Sequence, residues 1–422
     1  MTSEIKQRIE QIRRGEVPER YVKTARGLAP TDWKRYTFGD IYTERKEPGD
    51  ENLPLLMVSI HSGVSDGEVD AAELPKQVKR IEDKSQYKKA VSGDLVFNMM
   101  RAWQGAIGTV RTTGMVSPAY IVAEPNDKAY PLFMDYYSRT PQMINHIDHL
   151  PYRVHAFRKR LYCDSFAPIS CTLPPIAEQQ KIVAILTTQD KVIKLKEKRL
   201  AEKQRQKKYL MQQLLTGKKR LPGFSGEWKN IKLCEVLSER KEKNVEQNLR
   251  ICSVAVQKGV IDQIEHLGRS YAASDTSNYS VAHYGDIIYT KSPTGDFLYG
   301  IVKQNLLQET VAVSPLYGVF TPMTFGLGYF LHTYFQSAIC ARNYLLPIVQ
   351  KGAKNTINIT NDTFISSKLY LPLDVEEQKA IADTFIAADR EIELLQQDIE
   401  QEKQKKKALM QLLLTGIVRV KT

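Results

Sequence analysis

One stretch of the chain occurs twice, and it limits the fold more than any local signal does. The first copy runs from Glu178 to Leu221 and the second from Glu377 to Val420. An offset of 199 residues aligns them without a gap and leaves sixteen positions identical. Among these are Glu178/Glu377, Gln179/Gln378, Asp190/Asp389 and the ending Lys207, Lys208, Leu210, Met211, Gln212, Leu214, Leu215, Thr216, Gly217. Each copy lacks proline, is rich in Lys, Glu, Gln and Leu, and meets a glycine, Gly217 or Gly416, just past its last apolar pair. These features predict one long helix closed by a left-handed residue. A helix of about 38 residues is roughly 57 Å long, too long to lie across one small domain.

Apolar residues in both copies follow an alternating 4,3 spacing. The first seam is Ile182, Leu186, Ile193, Leu200, Leu210 and Leu214, interrupted by Gln189, Lys196, Lys203 and Lys207. The second is Ile381, Phe385, Ala388, Ile392, Leu395, Ile399, Leu409 and Leu413, interrupted by Glu402 and Lys406. Narrow heptad seams of this length predict a coiled coil. The other arrangement open to the sequence is two unrelated surface helices, each on its own domain. In an antiparallel pair Leu200 meets Leu395 near the centre. Lys194 to Lys208 carries eight basic and two acidic residues; its lysine stems are expected to cover apolar surface while their ammonium groups stay in water.

The repeat reaches beyond these helices. DWKRYTFGDIYTERKE (Asp32–Glu47) matches EWKNIKLCEVLSERKE (Glu227–Glu242), and Gly93–Asn98, Val116–Pro125 and Asp164–Pro174 have partners at Gly285–Thr290, Val313–Pro322 and Asp362–Pro372. The chain therefore divides into a helical segment 1–31, a first mixed domain 32–172, a long helix 173–221, a second mixed domain 222–370 and a final long helix 371–422. The opening segment ends GLAPTDW, much as the link between the halves ends LPGFSGEW; it is expected to pack near the end of the second long helix. Within the domains, LLMVSI, DLVFNM, AYIVAE, DIIYTK, LYGIV and LYGVF read as strands, and Phe133–Tyr137 and Tyr329–Phe335 as helices. Met99–Gly114 and His149–Leu161 diverge from Lys291–Glu309 and Val349–Asn361. A shared scaffold with divergent loops suits two binding domains with different ligands.

Composition narrows the class. The chain has 422 residues, 42% of them hydrophobic, enough to bury two or three cores, and a formal net charge of +12, which suits a polyanionic partner. Five scattered cysteines without CxxC spacing suit a reducing cytoplasm and no zinc site. The charged N-terminus reads as no signal peptide, and no apolar run has the length of a membrane span.

Catalytic patterns are weak. TGKK lacks the glycine and Ser/Thr of a phosphate loop, and Phe325–Gly328 is a lone Gly-x-Gly. SPAY and SPLY have Ser in place of the Asn/Asp that receives a target amine. Glu44-Arg-Lys46 and Glu239-Arg-Lys241 have a nuclease-like spacing but read as charges on a first exposed helix. The seven histidines show no ligand spacing. Arg101, Gln104, Arg153, His155, Arg158, Lys159 and Arg160 in the first half are the better candidates, with Lys291, Lys351, Lys354, Asn355 and Asn358 in the second. Arg, Gln and Asn can pair with base edges, while Lys and Arg neutralise phosphates.

Across nearly its whole length the pattern resembles the specificity subunit of a type I restriction–modification system. The resemblance rests on LPPIAEQQKI (Leu173–Ile182) with KKYLMQQLLTG (Lys207–Gly217), and on LPLDVEEQKAI (Leu371–Ile381) with KKALMQLLLTG (Lys406–Gly416). It implies an α+β fold: two homologous mixed target-recognition domains separated by two long helices in an antiparallel coiled coil. It implies that each domain reads one half of a split, asymmetric double-stranded DNA target in the major groove. It also implies no catalysis and no cofactor in this chain. Two modification subunits would supply S-adenosylmethionine and adenine-N6 methylation, and restriction subunits using ATP and Mg could join them. A coiled-coil scaffold for proteins and a self-sufficient DNA methyltransferase are the rival classes.

Overall fold

The duplicated stretches form the two longest helices of the computed structural model, Ile176–Leu214 and Val375–Leu414. The structure describes residues 3–24, 27–67, 83–150, 153–155, 158–269, 272–351 and 357–420; of Ser3, 153–155, 158–159, 350–351 and 357–358 it describes the backbone alone. Both helices stop where the glycines predict, with Gly217 at φ +67° and Gly416 at φ +73°. Every seam position is buried or half-buried, whereas Leu195 and Leu394, off the seam, are exposed.

The chain forms two compact units, residues 1–196 with 398–422, and residues 197–397. Each long helix contributes to both, and in each unit the two helices run antiparallel. In the first unit Gln189 donates to Glu402, Lys196 pairs with Asp398 and Glu402 at 2.8 and 2.9 Å, and Lys406 pairs with Asp190. In the second, Lys203 pairs with Glu391 at 2.9 Å and Lys207 with Asp389. This register sets Leu200 level with Leu395, both half-buried. The seam lysines depart from expectation in one respect: Lys196, Lys203 and Lys207 reach carboxylates on the facing helix rather than water. Ion pairs thus replace apolar knobs where the seam is polar.

The first unit holds an antiparallel four-stranded sheet in the order Tyr42–Glu44, Tyr120–Pro125, Leu95–Asn98, Ile107–Thr109. The second repeats it as Leu237–Glu239, Gly318–Pro322, Ile287–Tyr289, Val302–Gln304. It adds a sheet in which Arg250–Ala255 runs parallel to Val311–Val313. In each unit the strand opening the domain pairs with the one closing it: Lys34–Thr37 with Ser170–Leu173, and Trp228–Lys232 with Lys368–Pro372. Two short helices follow each four-stranded sheet, Pro131–Ser138 and Pro141–Asp148, or Phe325–Tyr334 and Ala338–Leu345. Phe97, Phe133 and Phe166 centre the first core, which Leu186 and Leu413 of the long helices also enter; Tyr289, Phe320 and Phe364 centre the second, with Phe385.

Two readings of short segments are corrected. Glu44-Arg-Lys46 and Glu239-Arg-Lys241 begin at the ends of strands, not on a first exposed helix. The reason is a long-range clamp: Arg45 reaches buried Asp94 at 2.8 Å, and Arg240 reaches buried Asp286 at 2.6 Å. Of LYGIV, only the last residue enters a strand, Val302–Gln304, because the preceding turn folds back at Gly300 with φ +103°.

The opening segment packs against the end of the second long helix, as expected. It comprises a helix, Ser3–Arg13, and a hairpin, Tyr21–Thr24 with Gly27–Pro30. Tyr21 Oη donates to the carbonyl of Gly416 at 2.6 Å, and Arg8 to that of Ile417 at 3.1 Å.

Candidate functional site

The repeated polar residues prove to be anchors. Glu178 is 1% exposed and accepts two bonds from Arg419, whose guanidinium also holds Asp32 and lies over Trp33. Glu377, likewise 1% exposed, takes Arg220 and the indole N–H of Trp228 at 3.1 Å. Gln179 donates to the carbonyl of Pro174 while accepting from the amide of Tyr130; Gln378 donates to that of Pro372 and accepts from Thr324. Asp190 accepts from Tyr136 and Asp389 from Tyr329. A buried carboxylate persists only with such partners, so these contacts fix each domain to the start of its helix. Sequence reasoning noticed the acids and missed Tyr136, Tyr329, Arg220 and Arg419, which lie far from them along the chain.

The divergent loops sit on this shared frame at equivalent places, and both are hairpins. In the first unit Arg153–His155 pairs with Arg158–Arg160, matching Arg153 to Arg160 and His155 to Arg158. In the second, Gln350–Lys351 pairs with Ile357–Asn358. Each returning arm is pinned by a buried aliphatic residue just beyond it, Leu161 or Ile359. A short helix follows, Cys163–Phe166 or Asn361–Ser366.

In the first unit a second segment joins the hairpin. The Leu161 amide donates to the Met99 carbonyl at 2.8 Å. Arg101 and Gln104, both exposed, then flank buried Ala102 in the 3-10 turn Ala102–Gln104. The structure therefore joins the two backbone segments that carry all seven first-half candidates. Arg160 is half-buried, and its Nε finds no partner among the described residues.

In the second unit Lys291 occupies the position corresponding to Met99. It is half-buried, with a left-handed φ of +59°. Burial lowers its pKa, and nearby Glu239 opposes the shift. A Cβ on Gly300 would come within 2.8 Å of the Lys291 amide nitrogen, so this bend requires glycine there. Lys351 and Asn358 lie on the hairpin; Lys354 and Asn355 lie outside the described residues. Among the described residues no group of three or more His, Cys, Asp or Glu could hold a metal ion, and no helix is long and apolar enough to cross a membrane.

Two homologous β-rich domains, each bearing its own basic hairpin and both joined to a pair of antiparallel helices, define a chain built to present two different surfaces. Residues 226–404 match the family described as Type I restriction modification DNA specificity domain. The MjaVIII type I restriction enzyme specificity subunit of Methanocaldococcus jannaschii is 25% identical over 284 residues, covering 61% of this chain and 64% of that one. The chain thus spans just under two thirds of that relative. The MjaX specificity subunit named in the same organism is 23% identical over 96% of this chain and 98% of its own. Among solved structures, the type I S subunit from M. genitalium superposes with a TM-score of 0.53 at 10% identity, covering 92% of this chain and 97% of that one. A chain solved to explain the assembly and conformational transition of a type I system gives 0.51 at 16%, covering 92% and 99%. These two likenesses bear on the fold. The second half of the chain thus matches the DNA specificity domain of type I restriction–modification systems, and the chain as a whole is similar to specificity subunits of such systems.

Proposed function

We propose that this chain selects a bipartite, asymmetric target on double-stranded DNA and holds modification subunits over it. The observation that carries this reading is one scaffold built twice with chemically different hairpins at the same place. The first hairpin's sequence carries Arg153, His155, Arg158, Lys159 and Arg160, a set rich in charge. The second hairpin, with Lys351 and Asn358 on its described strands, and with Lys354 and Asn355 in its sequence outside the described residues, is richer in amides. A hairpin of this width can enter the major groove, where each base pair shows a distinct set of donors and acceptors. Arg101, Gln104 and Lys291 stand at the hairpin roots, suited to phosphates or to flanking bases. Unlike hairpins read unlike half-sites.

In this reading the antiparallel helices set the distance between half-sites. Two readers on one face of B-DNA need centres roughly 34 Å apart. Adenine extrusion and methyl transfer take place in the modification subunits, where S-adenosylmethionine binds. Restriction subunits add ATP- and Mg-dependent cutting.

Exchange of residues 149–161 for the corresponding hairpin of another specificity subunit tests the assignment. The expected outcome, read by sequencing the sites the complex methylates, is a change in one half-site with the other and the spacer intact. A change in both half-sites, or in neither, would remove the hairpin from the reading surface.

A further inference from the structure

The second unit buries a lysine that is unpaired among the described residues. Lys303 lies on the edge strand Val302–Gln304, is 4% exposed, and has no hydrogen-bond or ion-pair partner among the described residues. It lines a groove of about 1420 Å³ between the domain and the long helices. The carboxylate whose charge acts on it is already engaged: Asp389 takes Lys207 on one oxygen and Tyr329 on the other. Beside Lys303, His332 is 6% exposed and accepts the Gln304 amide on Nδ1 at 3.0 Å. That bond leaves the ring proton on Nε2. Burial, then Lys303 and Lys207, hold this imidazole neutral. Burial and the Lys207 charge bring the Lys303 pKa down to about 8, so the amine stays mostly protonated at neutral pH. Lys303 and His332 thus both line one groove.

The first unit shows no such excess of charge. By sheet register its counterpart of Lys303 is Gly108, which faces Val96 as Lys303 faces Ile288. Three residues beyond the equivalent tyrosine, Arg139 stands where the second unit has His332, and Arg139 pairs with Asp135. In the second unit the other lining acid, Glu393, already holds Arg390 at 2.8 Å. Lys208 and Lys258 line the groove with no carboxylate partner among the described residues. Uncompensated buried charge is costly unless a counter-charge arrives. Met211 and Leu307 add an apolar wall.

We propose that this groove is an oxyanion site for a phosphate group, with Lys303 and His332 donating to its oxygens and the apolar wall seating the body of a small phosphate-bearing molecule. The site belongs to the second unit and is separate from the basic hairpins.

Calorimetric titration of the full chain with inorganic phosphate and with AMP, at matched ionic strength in chloride, tests it. Saturable binding is expected. Lys303→Met, similar in length and apolar, should weaken it about tenfold or more, the worth of a charge-assisted hydrogen bond. AMP binding more tightly than phosphate identifies a nucleotide-like ligand; equal affinities identify the free ion. In the unmodified chain, phosphate should also protect Lys303 several-fold from acetylation, read by mass spectrometry of its peptide. Absence of saturable binding by both probes, affinity unchanged by Lys303→Met, or no protection would overturn the proposal.

Discussion

At the scale of single residues, the helix pair and its domains are held by a few buried charges, which makes their failure predictable. Arg220 neutralises a carboxylate that is 1% exposed. Arg220→Gln strands that charge, and loss of one partner of a buried pair costs roughly 3–5 kcal/mol. Glu377→Gln removes the charge and keeps an acceptor for Trp228, so it should cost less. Urea unfolding followed by tryptophan fluorescence compares the two; equal losses would mean that the ion pair is not the anchor. Glu402 supplies a pH signature. Its hydrogen bonds from Gln189 and then Lys196 hold the carboxyl down at about 2, against an ordinary 4.5. The unfolded chain therefore binds this proton more tightly, so the contribution is complete above about 4.5 and fades as the pH falls towards 2. Thermal melts should drop between pH 5 and pH 3, and Glu402→Gln should flatten part of that slope. Both acids were visible in the sequence, Glu377 as a repeated residue and Glu402 as a polar break in a seam. Their partners were not, because Arg220 lies 157 residues from Glu377 and Lys196 lies 206 from Glu402.

Elements differ sharply in how well a sequence announces them. The two long helices were legible to within a few residues, since a seam repeated over many turns averages out local noise and glycine marks each stop. The strands were much less so. Most have two to four residues, as at Val58–Ser59 or Ile287–Tyr289, too few for alternation to register. Their partners lie far away, and the clamps that close them, Arg45 on Asp94 and Arg240 on Asp286, have no periodicity. The hairpins that carry candidate contact residues were seen as divergent segments, but their shape was not. The helix stops themselves can be tested. At φ +73°, a Cβ on Gly416 would fall 2.7 Å from the ring of Pro30; at Gly217 (φ +67°) it would meet Tyr370 at 3.2 Å. Alanine at Gly217 should cost about 1 kcal/mol or somewhat more from backbone strain. Gly416→Ala should cost more, since it also pushes the opening hairpin off the helix end. Similar losses at the two sites, measured by thermal denaturation, would argue against that packing.

For the whole molecule, the duplication carries the account: one scaffold made twice, with the hairpins varied and the helices kept. Insertion of four residues, about one helical turn, into both long helices should alter the spacer while leaving both half-site sequences unchanged. An altered half-site would show that the helices do more than set distance. The central claim is that this chain alone decides which DNA is modified. Single-base mapping of N6-methyladenine, in cells carrying the chain with its modification subunit and in cells lacking only this chain, tests it most directly. The account predicts a split, asymmetric methylated motif that disappears with the chain. A motif that survives the deletion, or no motif while the chain is present, would contradict it.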